Sequence, residues 1–512
     1  MAVNLKDIFA EGGNKSTALQ FDTKQILPAD IIDDVQQRLT ARHELKSKSE
    51  ILKSLIEQCA PIDFTAKAYP NISAEERTEL KTKRNEMKVI IIDEILRLAQ
   101  ANNWALCKQC GFCYLYNGAY WETLTEDDVK HFLSECAAKL GTKQVLAKEC
   151  QFVDYLYKQF LFSAHLQPPE FAPGKVLINL QNGTFEVTTE QQGLRTFNNA
   201  DFLTYQLPFR YDAATAAPIF RKYLDRVLPD RTAQAVLSEY AGYLFIRHGS
   251  GLKFEKCLIL YGNGANGKSV FFEILTALLG RENVSTYPLS DLTDKTGYYR
   301  AEIANKLLNY ASEISKEMNC DLFKKLASGE TFTARSPYGR PFEVRNYAKM
   351  IFNANELPKD TEQTNAFFRR FIIIPFNVTI PAEEQDRELH RKIIDRELAG
   401  VFNWVLDGLK RLLSNKKFTD CTAIDETLKQ YRTESDSVQM FIDENNYQPS
   451  NTERMPLKEL YQHYRAFCYE DGYRACSNRT FSDRLRAKGF EVARVGSGRI
   501  IYAKRGSNEY PC

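Results

Sequence analysis

The sequence predicts an α/β protein: a strand–loop–helix core in mid-chain, a helical and then mixed α+β region before it, and a small basic unit after it. Three observations carry this. An apolar strand, a glycine-rich loop and an apolar helix follow one another at 257–280. Further apolar strands end in polar residues near 311 and 354. Amphipathic helices and hairpin signals lie on either side.

The stretch "CLILYGNGANGKSVFFEILTALLG" (257–280) sets the core. "CLILY" is a short apolar run, the pattern of a buried strand. After it, Phe272, Leu275, Leu278 and Leu279 recur at helical spacing, and Gly280 is a common C-terminal cap. Between them Gly262, Asn263, Gly264, Ala265, Asn266, Gly267, Lys268 and Ser269 fit G-x-x-x-x-G-K-[ST]. Glycines let the backbone curl so that N–H groups point inward, and the helix N-terminus adds positive potential. Lys268 can reach β- and γ-phosphates, and the Ser269 hydroxyl can ligate Mg²⁺. The expected ligands are ATP and Mg²⁺.

A chain of 512 residues has room for three or four domains. Its 44% hydrophobic and 26% charged content is that of a soluble globular protein. A net charge of +2 excludes no partner, because basic residues can gather on one surface. No apolar run approaches ~20 residues, so no membrane span is expected. "MAVNLKDIFAEGGNKS" lacks a secretory h-region, and the cysteines are scattered; both suit a reducing cytoplasm. "CKQCGFC" groups Cys107, Cys110 and Cys113. A structural zinc site wants four ligands, so strand residues are the first reading and zinc the second.

In chain order, four regions are expected. Residues 1–100 are an arm followed by charged helices, one of them starting at a Ser73 cap with Glu76 three residues on. Residues 101–232 form an α+β accessory region with hairpins at Asn117-Gly118 and Asn182-Gly183. Residues 233–424 hold the nucleotide machinery, and 425–512 a small basic domain.

The nucleotide machinery needs more than the loop. "LLNYASEIS" (307–315) reads as a strand ending in Ser312-Glu313, and Glu313 is the candidate for orienting the attacking water. The common Asp-Glu pair is absent, which leaves magnesium to Ser269, phosphates and water. "AKMIFNANELP" (348–358) ends in Asn353 and Asn355; Asn355, at the strand's end, is the better candidate for contacting the γ-phosphate or lytic water. Arg369 and Arg370 precede the strand "FIIIPF", at a domain edge from which an arginine can reach a neighbouring subunit's nucleotide.

Between these strands, "ETFTAR" and "PFEVR" flank "SPYGR" and read as a hairpin. Lys324, Lys325, Arg335, Arg340, Arg345 and Lys349 make the stretch positive. Tyr338 can stack on a base, and Arg335 or Arg340 can hold phosphates. The tail from 452 to 505 has 12 Lys and Arg against 6 Asp and Glu. It reads as a helix, a basic helix with Arg479, Arg484, Arg486 and Lys488, and a hairpin. That layout suits duplex DNA, or docking of a primase or initiator.

The order of P-loop, "ASE" strand, "KKLASGETFTARSPYGRPFEV", "NANELP" and "FFRRFIIIPF" resembles the superfamily 3 helicase domain of phage and plasmid primase-helicases, which is similar to poxvirus primase-helicases. "INLQNGTFEV…YLDRVLP…EYAGYLF" resembles the accessory domain preceding that helicase, and the tail its winged helix. The resemblance covers roughly 100–500. It implies an AAA+-like, ring-forming, hexameric ATPase that translocates on single-stranded or forked DNA, 3′ to 5′, with the hairpin lining the pore. No paired-carboxylate primase signature precedes the core, so a separate primase or initiator is an expected partner. The competing reading is an origin-binding initiator or remodeller that uses ATP as an assembly switch. A metabolic P-loop kinase gives no reason for the basic hairpin or the arginine pair.

Overall fold

The structure, a computed structural model, describes residues 45–506 apart from 78, 110, 168–173, 313, 315–317, 336–338, 340, 359–361 and 497. The first helix, α1 (Lys48–Gln58), starts at a capping box in which Glu50 accepts from the Ser47 N–H at 2.7 Å. Ser73 and Glu76 make a second such pair, but the helix there covers only Ala74–Arg77. The long helix expected from that cap begins instead at α2 (Arg84–Ala101), where Glu86 accepts from the Lys83 N–H. β-branched Thr82 lies in the break, its hydroxyl bonded to that of Thr65.

Strands β1 (Ala105–Gln109), β2 (Phe112–Tyr116) and β3 (Trp121–Leu124) form an antiparallel meander. The expected turn is present: Asn117 Oδ1 accepts from the N–H groups of Ala119 and Tyr120, both at 3.0 Å. Helices α3 (Glu126–Lys139) and α4 (Cys150–Ser163) follow, and with α1 and α2 they bury Leu106, Cys113 and Leu115 in one core. The expected boundary at 100/101 therefore does not separate two cores. Cys107 faces the other side of the sheet, against Tyr114, Tyr116 and Trp121, so Cys107 and Cys113 do not converge. Cys110 lies outside the described residues.

A second meander, β4 (Val176–Leu180), β5 (Gly183–Val187) and β6 (Gln192–Arg195), turns at Gln181-Asn182, with Leu180 opposite Gly183. Then come α5 (Pro218–Val227) and α6 (Arg231–Tyr243). The expected boundary at 232/233 falls inside α6.

The central sheet is all parallel. In chain order its strands are β7 (Cys257–Tyr261), β8 (Val284–Ser285), β9 (Leu308–Ala311), then β12 (Lys349–Ala354) and β13 (Phe371–Pro375), with a separate antiparallel pair, β10 (Phe332–Ala334) and β11 (Phe342–Val344), between β9 and β12. Helix α7 (Lys268–Leu279) follows β7, and α8 (Cys320–Ser328) precedes β10. The spatial order is β13-β7-β12-β9-β8. Counted along the chain, that is fifth, first, fourth, third, second. Leu258, Leu260, Ile351, Ile372 and Ile374 face one core; Cys257, Ile259, Met350, Phe352 and Ile373 face another. Both faces are covered, which is why these strands read as unbroken apolar runs.

Helix α9 (Leu389–Asn415) closes the first core against α5, α6 and α7. Two glycines set its approach to α6: a Cβ at Gly408 would lie 2.3 Å from the Ser238 carbonyl group, and one at Gly242 2.7 Å from Leu409. Neither obstacle is a flexible side-chain end. Gly408→Ala should lower unfolding free energy by about 1–3 kcal/mol, since overpacking exceeds the helix propensity gained. A urea midpoint unchanged or raised would show that the helices can separate at no cost.

Helix α10 (Thr422–Glu434) straddles the expected 424/425 boundary. Its Leu428 and Tyr431 pack with Phe368 and Phe371, and the Tyr431 hydroxyl donates to the Pro358 carbonyl at 3.0 Å. The tail's own core is made by α11 (Ser437–Glu444), β14 (Tyr447–Pro456), α12 (Leu457–Glu470), α13 (Asn478–Ala487), β15 (Glu491–Val495) and β16 (Gly498–Arg505). The two helices and the hairpin stand where expected. Strand β14, which pairs with β16 across a bulge between Pro449 and Arg454, was not expected.

Candidate functional site

The glycine-rich loop leaves the C-terminal end of β7 and enters α7. Gly262 and Gly267 have φ of 154° and 87°. Side chains there would strike the Phe376 carbonyl at 2.3 Å and Val227 at 2.7 Å, so both positions require glycine. The chain after β13 fastens the loop from outside. Asn266 Nδ2 donates to the Phe376 carbonyl at 3.1 Å, and the Ile380 N–H to the Ala265 carbonyl at 2.8 Å. From α5, the Tyr223 hydroxyl donates to the Gly267 carbonyl at 2.8 Å.

Lys268 Nζ is turned into this loop. It donates to the carbonyls of Gly262 and Asn263, to Asn266 Oδ1 at 3.0 Å and to Asn355 Oδ1 at 3.5 Å. Burial lowers its pKa. The Ser269 side chain is exposed at the start of α7, and Ser312, just past β9, lines the same cleft. Asn353 is committed elsewhere: its Oδ1 accepts from the Tyr310 hydroxyl at 2.9 Å. Parallel strands β7, β9 and β12 thus bring the loop, Ser312 and Asn355 to one sheet end. Glu313 lies outside the described residues. Backbone curl, lysine and exposed hydroxyl fit a triphosphate with its magnesium.

The cleft has a volume of about 1140 Å³. Ile219, Val227, Ile380 and Leu389 give it apolar walls, and Lys222, Arg226, Arg387 and Lys392 line it with positive charge. Arg226 pairs with Glu384 at 2.6 Å and Lys392 with Asp386 at 2.5 Å. Helix α5 is held here by Glu397 of α9, which accepts from the Ile219 and Phe220 N–H groups, both at 2.9 Å. Sequence reading missed these cations because Lys222 and Arg226, one helical turn apart, look like any solvated helix face.

Arg369 and Arg370 sit before β13, whose first residue pairs with the first of β7. They lie at the sheet end away from the loop, roughly 15 Å off for a five-residue strand. Their surroundings differ. Arg370 is buried and donates to the carbonyls of Lys324 and Ala366 and to Ser328 Oγ at 2.8 Å. Arg369 has 62% of its side chain exposed and pairs with Glu255 at 3.1 Å.

The hairpin strands β10 and β11 pair antiparallel, Phe332 opposite Val344. Arg335 is exposed and packs over the Tyr298 ring at 4.9 Å. Lys325 is exposed too. Lys324 is not a free cation: Asp321 and Glu362 each hold its ammonium at 2.9 Å. Tyr338 and Arg340 lie outside the described residues. Lys349 does not add to the hairpin's surface charge, because it is buried beside His248 and over the Tyr243 ring. In the tail, Arg484 and Lys488 both turn to Asp436, at 3.5 and 2.7 Å. Arg486 pairs with Asp483, and Arg479 is exposed.

Lys349 also makes stability pH-dependent. Among the described residues no carboxylate pairs with it, and burial holds its pKa down to about 7. Unfolded lysine keeps its proton to about 10.4. Between these values the unfolded chain binds the extra proton, so stability rises with pH; the penalty is full below about 7. Urea midpoints should climb from pH 7 to pH 9, and Lys349→Met should flatten that climb. A slope unchanged in the variant would assign it to other groups.

Comparison with known proteins gives three family matches. A D5 N terminal like family matches residues 90–229, a family of unknown function (DUF5906) matches 260–370, and a Poxvirus D5 protein-like family matches 433–505. Putative helicase L207/L206 of Acanthamoeba polyphaga mimivirus is 28% identical over 168 residues, covering 30% of this chain and 16% of that protein. Putative helicase 121R of Invertebrate iridescent virus 3 is 22% identical over 332 residues, covering 56% of this chain and 34% of its own length. The chain therefore spans about a third or less of these relatives. An apo structure of the NrS-1 C terminal region aligns with a TM-score of 0.46 and 14% identity, covering 80% of this chain and 98% of that one. Among the described residues no helix is long and apolar enough to cross a membrane. With D5-like regions before and after the glycine-rich core and putative helicases of two viruses among the proteins it matches, this chain is similar to the viral D5-type helicase proteins.

Proposed function

We propose that the chain is an ATP-driven DNA helicase of a phage, plasmid or viral replicon, working as a hexameric ring on single-stranded DNA, 3′ to 5′. One observation carries the reading: β12 runs from the root of the β10–β11 hairpin to Asn355, whose amide lies 3.5 Å from Lys268 Nζ. A single buried strand therefore joins the segment proposed to touch DNA with the one proposed to sense nucleotide.

Bound ATP with Mg²⁺ supplies the phosphoryl chemistry. Loop N–H groups and Lys268 hold the phosphates, and Ser269 provides the protein's oxygen to the metal. Glu313 orients the lytic water, and Asn355 reports on the γ-phosphate through β12. Arg369, the exposed member of its pair, serves a neighbouring subunit; Arg370 anchors the segment that carries it. Lys325, Arg335, Tyr338 and Arg340 form the DNA-facing surface of the hairpin, and Arg479 and Arg486 that of the tail. The sheet order supports an AAA+-like core, and the tail's helix–helix–hairpin a winged helix. The separate cores favour domains at about 45–164, 176–435 and 436–505.

Unwinding of forked DNA with each tail polarity tests the function. Strand separation from a 3′ tail is expected; strong single-strand-stimulated ATPase without unwinding would favour the ATP-switched initiator. A chain ended after Ser435 keeps α10 on the core, so its ATPase should stay within about twofold. Its duplex binding should weaken, with loss of a steep salt dependence. Collapse of its ATPase would place the tail inside the catalytic unit.

A further inference from the structure

A second cavity, about 170 Å³, opens between the β1–β3 sheet and the hairpin root. Phe112, Tyr114 and Phe202 form its flat walls, and Asn305, Asn346 and Arg247 stand at its edges. The tip of the β1–β2 hairpin reaches β11 here, with the Phe112 and Phe342 rings edge to face at 5.2 Å. Tyr114 and Phe202 meet at 5.1 Å, also edge to face.

The backbone is unusual at two lining positions. Phe202 and Asn305 have φ of 46° and 58°. For a bulky residue such as phenylalanine the left-handed region is a genuine outlier, and such outliers cluster at ligand sites. Each is held in place. Arg247 Nη2 donates to the Phe202 carbonyl at 2.7 Å, Asn305 Nδ2 to the Tyr114 hydroxyl at 2.9 Å, and the Asn305 N–H to the Asn346 carbonyl at 3.0 Å. Among the described residues the Asn346 side-chain amide has no hydrogen-bond partner.

Size and chemistry narrow the occupant. A cavity of ~150 Å³ takes one benzene ring, so this one admits a single ring system and no more. Aromatic walls suit a flat π-face. A free amide, with donor and acceptor side by side, suits the edge of a heterocycle. Among the described lining residues the single carboxylate, Glu343, pairs with Arg345 at 2.9 Å, so the surroundings favour an anionic ligand over a cationic one.

We propose that this cavity receives one unstacked nucleobase of a single DNA strand lying along the β10–β11 hairpin. The inference rests on the DNA reading above and adds to it a base-holding site outside the hairpin. Base–aromatic stacking is sequence-tolerant, so the site grips without reading sequence.

The test compares binding of the full chain to an oligothymidylate and to the same strand with abasic residues. Asn346→Ala and Phe112→Ala are measured beside the wild type, with melting temperatures checking the fold. The wild type should prefer the intact strand by about tenfold or more, within the ~1–3 kcal/mol that stacking provides per base. Phe112→Ala should lose most of that preference and Asn346→Ala part of it, while both bind the abasic strand as the wild type does. A preference that survives in both variants overturns the pocket and leaves the DNA reading standing. Absence of any single-strand binding overturns both. Thymidine monophosphate bound as tightly as the strand would make the occupant a free nucleotide and overturn the strand. If a variant fails to fold, 4-thiothymidine crosslinking of the wild type decides: adducts on Phe112, Tyr114 or Phe202 are expected, and adducts confined to other segments reject the site.

Discussion

Lys268→Ala should lower ATP turnover by at least about 100-fold, the usual effect of removing one charge stabiliser from a phosphoryl- or acyl-transfer site. The geometry makes the loss specific. Among the described residues, Lys268 Nζ is the one side-chain cation that the loop's own carbonyls and two asparagine oxygens surround. Burial already disfavours its charge, so arrival of a phosphate anion is the event that best offsets that cost. The fold should survive the change, since the loop remains fastened by Asn266, Ile380 and Tyr223. Steady-state hydrolysis and a melting curve suffice as measurements. Turnover within a few-fold of wild type, in a folded variant, would remove the nucleotide site from this loop.

The loop was legible because its constraints are local. Glycine at 262 and 267, lysine at 268 and flanking apolar runs follow from one turn of backbone and one buried sheet. The hairpins at 117 and 182 were legible for the same reason. What stayed hidden depends on partners distant in sequence. Lys324 reads as a DNA-facing cation until Glu362, 38 residues on, is seen to hold it. Arg484 and Lys488 are taken by Asp436, which no spacing rule connects to them. Composition reports how many charges a stretch carries, not which carboxylates they meet. Gly242 and Gly408 look like weak points in helices, yet they are the surfaces through which α6 and α9 touch. Strand β14 carries Pro449, Pro456 and a bulge, which erase the alternation that marks a strand. The expected domain boundaries cut through shared packing for a related reason. Hydropathy marks what is apolar and leaves open which apolar faces share a core, so α10 was split from the β13 face it covers.

Arg369→Ala and Arg370→Ala should fail in different ways, and the difference tests the proposed ring contact. Arg370 is buried and bonded to the Lys324 carbonyl and the Ser328 hydroxyl, so its alanine variant leaves those groups unpaired and should destabilise the fold. Arg369 makes one exposed ion pair, with Glu255, and its loss should leave the melting temperature nearly unchanged. A guanidinium supplied to a neighbour's γ-phosphate typically contributes ~10³–10⁵ in rate. Arg369→Ala should therefore abolish most hydrolysis while each subunit still binds ATP. Mixing decides whether the residue acts across an interface. A Lys268→Ala chain keeps its arginine but lacks a working loop, and an Arg369→Ala chain has the loop but no arginine. Each alone is inactive. In mixed rings some interfaces set an intact loop against an intact Arg369, so ATPase should partly recover, and recovery should depend on protein concentration. The roughly 15 Å between Arg369 and its own loop leaves no other route to such recovery, because side-chain reach cannot span the sheet. Absence of recovery in rings shown to exchange subunits would confine Arg369 to its own chain and make its pairing with Glu255 purely structural.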